Sequence, residues 1–149
     1  MPECLWFGAA AHPFRLQESR SKRLRVLIVD DHEALRAGVR AALQSRSGVE
    51  ICGEASNGRE ALDKARELRP DLVILDITMP VLDGFSAARE ISRQLPGVSI
   101  LLLTMHESPN MVNVAKSSGA CGYVGKSQGL STLLKAVDAV AQNKTYFPN

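Results

Sequence analysis

No stretch of this sequence approaches the roughly 18 consecutive apolar residues that a membrane-spanning helix needs, so no membrane span is expected. Cysteine is scarce: Cys4, Cys52 and Cys121 are widely spaced, with no CxxC pair and no histidine at metal-ligand spacing. They read as reduced thiols in a cytoplasmic protein. Glycine is missing from the turn VDDHE after the first aliphatic run, which removes the close phosphate approach that a dinucleotide or flavin site requires. Aromatic residues make up only 5%, and the net charge of +2 is concentrated at the start. Residues 1–25 carry five basic and two acidic groups, a local +3, which leaves −1 for the remaining 124. A near-neutral body without a basic stripe offers nucleic acid little electrostatic footprint, so direct DNA binding by this segment is not expected.

What is present fits one soluble domain: 149 residues, 45% hydrophobic and 23% charged, enough to bury a core without metal or disulfide staples. Residues 1–23 show no sustained period and read as an unstructured tail. From residue 24 onward, short aliphatic runs alternate with amphipathic segments. Strands are predicted over 24–29, 49–55, 72–75, 98–103 and 121–124. Helices are predicted over 33–46, 59–68, 85–95, 109–118 and 130–143, with Asn57 as the N-cap of the second. Strands that each lead into a helix call for a parallel sheet covered on both faces, because parallel neighbours need crossover connections. Runs such as LRVLIV and SILLL agree, since a strand buried on both sides shows no polar alternation. The expected fold is a doubly wound, flavodoxin-like α/β sandwich with a five-stranded parallel sheet in the order 2-1-3-4-5.

Ligands of such sheets bind beyond the carboxyl ends of the strands, where the order reverses. The residues at those ends are Asp30 and Asp31 after the first strand, Asp76 after the third, Thr104 after the fourth and Lys126 after the fifth. In that strand order three carboxylates share one pocket. Mutual repulsion would force protonation unless a cation offsets it. Hard oxygen donors suit Mg²⁺, which shares its shell with phosphate oxygens. One carboxylate can then attack phosphorus to form an acyl phosphate, while Lys126 and the Thr104 hydroxyl bind the transferred oxygens.

Each residue alone has a plainer reading. Asp30 with Glu33 resembles a capping box, Asp76 could be a turn residue, Thr104 a strand-end hydroxyl, Lys126 a solvated lysine and Tyr123 a core aromatic. It is the set, at four strand ends of five, that points to chemistry. His12, His32 and His106 have no metal-ligand spacing and are assigned none.

The segments VLIVDDHEALRAGVR, DLVILDITMPVLDG, ILLLTMHES and GACGYVGKS resemble the response-regulator receiver domains of two-component signalling, over about residues 24–143 and most closely in the NarL/FixJ-type branch. That resemblance implies Asp76 as phosphoacceptor, Asp30 and Asp31 as the acidic pair, the Thr78 main-chain carbonyl as a further Mg²⁺ ligand, Thr104 as switch hydroxyl, Lys126 as the invariant lysine and Tyr123 as switch aromatic. It implies a sensor histidine kinase as partner, a possible homodimer, and transcriptional control through a helix-turn-helix domain not present in this chain. Residues 24–145 would form the receiver, and 146–149 the start of a linker or the chain end. Such a domain is a switch with self-catalysed phosphorylation and dephosphorylation, not an enzyme. Two rival classes are a Mg²⁺ phosphatase, which would want a second acid where Thr78 stands, and an unphosphorylated scaffold. Two departures from the family pattern are visible: Ser127 stands where many members have proline, and Gly125 where they have an aliphatic residue.

Overall fold

A computed structural model describes residues 23–105 and 108–148; the expected tail at 1–23 lies almost wholly outside them. Five strands alternate with five helices: β1 (Leu24–Val29), α1 (Glu33–Gln44), β2 (Val49–Ala55), α2 (Gly58–Leu68), β3 (Leu72–Asp76), α3 (Gly84–Gln94), β4 (Ser99–Thr104), α4 (Pro109–Ser117), β5 (Gly122–Gly125) and α5 (Leu130–Ala141). The strands are parallel in the order β2-β1-β3-β4-β5, the flavodoxin-like arrangement expected. One short 3₁₀ turn, Lys126–Gln128, was not anticipated.

The aliphatic strands divide their side chains between two cores. Leu27, Val29, Val73, Leu75, Ile100 and Leu102 face one side, where Ala61, Leu62 and Ala65 of α2, Ala87, Ala88 and Ile91 of α3 and Ala115 of α4 cover them. Val26, Ile28, Ile74, Leu101 and Leu103 face the other, under Val39 and Leu43 of α1 and Leu133, Val137 and Val140 of α5. The period of two is therefore intact within runs that look uniformly apolar.

Helix starts are fixed locally. Asn57 Oδ1 accepts the Glu60 N–H at 2.8 Å, as expected of an N-cap, and Asp83 Oδ1 accepts the Ser86 N–H at 2.9 Å. Asp30 does not cap α1: that place belongs to His32, which makes no side-chain cap bond. Between Val26 and Leu27 the β1–β2 register slips by one residue, a bulge at Cys52. Cys52 is a free thiol. Cys121 is disulfide-bonded, against the expectation of reduced thiols.

Beyond α5 the chain returns to the sheet. The Tyr146 N–H donates to the Cys121 carbonyl and the Tyr123 N–H donates to the Tyr146 carbonyl, both at 2.9 Å, forming a parallel bridge along β5. Tyr146 packs towards the α1/α5 core and Phe147 towards the other, so the segment grips β5 from both faces.

Candidate functional site

In the β1–β3 register Val29 lies opposite Leu75, so the next residues, Asp30 and Asp76, emerge side by side. Both are nearly inaccessible, 2% and 4% exposed. On the far side, Asp76 pairs with Leu103 of β4, and Thr104 pairs with Gly125 of β5, which puts Lys126 one residue beyond the sheet. The Lys126 ammonium reaches back to Asp30 Oδ2 at 2.8 Å and Asp76 Oδ1 at 3.1 Å. No peptide bond among the described residues is cis, and Lys126 reaches both carboxylates with Ser127, not proline, after it.

Asp30 has little freedom. Its Oδ1 accepts the His32 N–H at 2.9 Å, Oδ2 is taken by Lys126, its own N–H donates to the Ala55 carbonyl at 3.1 Å, and its carbonyl accepts from Arg36 Nη1 at 2.7 Å. Asp31 is more accessible, its side chain 28% exposed, with its Oδ1 3.0 Å from His32 Nδ1. Carboxylate oxygens of Asp30 and Asp31 and a ring nitrogen of His32 lie within 4.8 Å of one another. His32, given no chemistry by its spacing, thus sits against the acidic pair.

One lysine does not neutralise three carboxylates. Burial, and then the charge of Asp30, raise the proton affinity of Asp76; Lys126 opposes this, and Asp31 adds to it. Burial alone would lower the Lys126 pKa, but the hydrogen bond to Asp30 and the charge of Asp76 outweigh it and raise it. Lys126 is a fixed cation. The remaining negative charge and the oxygen-rich donor set fit a hard divalent cation such as Mg²⁺, with the Asp30–Asp31 cluster as the residues to hold it.

The loop after β3 is held tightly beneath the site. The Gly84 N–H donates to the Ile77 carbonyl at 2.8 Å, and a Cβ at Gly84 would fall 2.2 Å from the Asp76 carbonyl oxygen, so only glycine fits. Val81 has φ +70°, a left-handed conformation disfavoured for a β-branched residue, and its side chain is exposed. Thr78 lies in this loop and is exposed.

The structure therefore brings Asp30, Asp31, Asp76 and Lys126 together, with Thr104 buried in the neighbouring strand end. Tyr123 is apart from them, three residues before Lys126 and 1% exposed within the α2/α3/α4 core. This agrees with its plainer reading as a core aromatic. Sequence reasoning passed over Arg36. A signal existed: a cation near a helix N-terminus opposes the helix dipole and calls for a local acceptor.

The family model for the response regulator receiver domain matches residues 26–138. The chain belongs to this family. This receiver domain is 34% identical over 124 residues to the response regulator protein VraR of Staphylococcus saprophyticus, covering 83% of the chain and 59% of VraR. It is 36% identical over 125 residues to the transcriptional regulatory protein LnrK of Bacillus subtilis, covering 84% of the chain and 57% of LnrK. The chain thus spans less than two thirds of the length of these relatives. Among solved structures, a LuxR-family two-component response regulator from an Aurantimonas species superposes with TM-score 0.81 at 34% identity, covering 84% of the receiver domain and 89% of that chain. No helix among the described residues is long and apolar enough to cross a membrane. A receiver is a phosphoacceptor switch, not an enzyme in the usual sense.

Proposed function

We propose that Asp76 accepts a phosphoryl group from a phosphohistidine on a sensor histidine kinase, in a cytoplasmic response regulator. The observation that carries this reading is the Lys126 ammonium bridging Asp30 and Asp76 across the ends of three strands. An oxygen of Asp76 attacks phosphorus; the new O–P bond forms as the P–N bond to imidazole breaks, and the departing nitrogen takes up a proton. Lys126 supplies a fixed positive charge to the incoming phosphoryl oxygens, and the Thr104 hydroxyl donates to one of them. Mg²⁺, held by Asp30, Asp31, Asp76 and the Thr78 carbonyl, would offset charge between carboxylate and phosphoryl group. Water later hydrolyses the acyl phosphate and resets the switch.

The consequence of phosphorylation is a change of partner affinity, carried by Thr104 and Tyr123 to the surface formed by α4, β5 and α5. That surface would take a second copy of the domain. LnrK is a transcriptional regulator, and by analogy the output is transcription through a helix-turn-helix domain; because Tyr146 and Phe147 still pack on β5, the connection to it begins after them, not at 146.

Intact-protein mass after incubation with Mg²⁺ and acetyl phosphate tests the chemistry. One added phosphoryl group in wild type, absent from Asp76→Asn and from an EDTA control, is the expected result. No gain in wild type would favour an unphosphorylated scaffold, and many turnovers of acetyl phosphate per chain would favour a phosphatase.

A further inference from the structure

The backbone of Asp30 is held from β2, a strand that contributes no residue to the acidic cluster. The Asp30 N–H donates to the Ala55 carbonyl, the last residue of β2, at 3.1 Å. The Asp30 carbonyl accepts from Arg36 Nη1 at 2.7 Å, and the Nε of the same guanidinium donates to Glu54 Oε1, the neighbouring residue of β2, at 3.0 Å. Arg36 therefore spans α1, the acidic loop and β2 with one planar group, which a flexible ammonium could not reproduce. It is largely buried, 17% exposed as a side chain. Glu54 is itself fixed: Arg40 Nη1 donates to its second carboxylate oxygen at 2.5 Å, and Lys64 Nζ from α2 donates to its carbonyl at 2.5 Å. Burial would raise the Glu54 pKa, but the hydrogen bonds from Arg40 and Arg36 outweigh it and lower it, so Glu54 is an ionised anchor near neutral pH.

We infer that Arg36, anchored on Glu54, is a positioning residue that holds the Asp30–Asp31 loop in the conformation able to bind a divalent cation. This rests on the reading of Asp30 and Asp31 as metal ligands. The reason is mechanical. Asp31 has no buried partner, so the direction of its carboxylate follows the backbone just before it, and that backbone is set by the peptide carbonyl that Arg36 grips. Without the guanidinium the buried Asp30 carbonyl loses its donor, and the loop relaxes to recover one. Groups that orient ligands in this way commonly change metal affinity about 10-fold or more when removed.

Arg40 provides the control, because it holds the same Glu54 carboxylate from the next turn of α1 without reaching the Asp30 carbonyl that Arg36 holds. Calorimetric titration of Mg²⁺ into wild type, Arg36→Met, Arg36→Lys and Arg40→Met, with urea denaturation of each, separates positioning from general stability. Arg36→Met is expected to raise the Mg²⁺ Kd about tenfold, and its phosphorylation by acetyl phosphate to recover at saturating Mg²⁺. Arg40→Met is expected to lose comparable stability with its Mg²⁺ Kd unchanged. Equal rises in Kd for Arg36→Met and Arg40→Met, or none for Arg36→Met, would overturn the inference. If Arg36→Met does not fold, Arg36→Lys decides it: its ammonium cannot bond Asp30 and Glu54 as a fork does, so a raised Kd supports positioning and an unchanged one refutes it. A wild type that binds no Mg²⁺ and takes up no phosphoryl group overturns the phosphoacceptor reading itself, an outcome distinct from any difference among the variants.

Discussion

The two ends of the sheet treat charge in opposite ways. At the amino end, the Arg25 N–H donates to Asp71 Oδ2 at 2.8 Å, its guanidinium Nη1 donates to the carbonyls of Leu68 and Arg69 at 2.7 and 3.0 Å, and the Asp71 N–H returns a bond to the Arg25 carbonyl at 2.8 Å. One cation, one carboxylate and the last carbonyls of α2 satisfy each other. At the carboxyl end, Asp30, Asp31 and Asp76 face a single Lys126, and Asp76 holds its proton more tightly than an ordinary aspartate. The first arrangement closes a fold. The second retains a surplus of negative charge that folding alone would remove, the signature of a site kept for a ligand.

Three measurements can break that contrast. The largest effect is expected from Lys126→Met in metal-free buffer, which strands two buried carboxylates and should cost about 3 kcal/mol in urea denaturation at pH 7. Phosphoryl uptake should also fall by about 100-fold, as when a charge-stabilising donor is lost. Loss of stability with unchanged uptake would make Lys126 a structural bridge only. Arg25→Met should cost about 1–2 kcal/mol through its lost hydrogen bonds while leaving the uptake rate intact; a fall in that rate would show that the two ends are coupled.

Smallest, and opposite in sign, is Asp76→Asn. Burial, and then the charge of Asp30, raise the folded-state pKa of Asp76 above its ordinary 3.8, so ionisation works against the folded state as pH rises. In EDTA at pH 7 the asparagine variant should therefore unfold at a higher urea concentration than wild type. The gain should shrink as pH falls through the raised folded-state pKa and vanish below 3.8, where the carboxylate is protonated in both states. A gain that does not depend on pH would assign the effect to something other than charge.

The sheet order and the strand-end residues were legible because parallel strands leave an alphabetic trace: aliphatic runs ended by Asp30, Asp76, Thr104 and Lys126. Element boundaries agreed within two residues, since Asn57, Pro96-Gly97 and Pro109 are local signals. What was not legible depends on geometry at a distance. Arg36 acts through a main-chain carbonyl six residues away and a glutamate on another strand, and the chain hints at this only by placing a cation near a helix N-terminus, without naming its partners. His32 has no metal-ligand spacing in the sequence, yet its ring lies against the neighbouring Asp31 carboxylate, a contact set by the loop rather than by spacing. The burial of Tyr123, by contrast, agrees with its plainer reading as a core aromatic.

The bridge made by Tyr146 also answers a hazard of open sheets. β5 is an edge strand, and an unpaired edge is a template on which another chain can add a strand. Here the Cys121 carbonyl and the Tyr123 N–H are already engaged by Tyr146, while Phe147 lies on the opposite face with the Lys116 ammonium 5.2 Å from its ring centroid. A foreign strand would have to displace this segment to reach the Cys121 carbonyl and the Tyr123 N–H. The receiver thus carries its own competitor against templated aggregation along that edge.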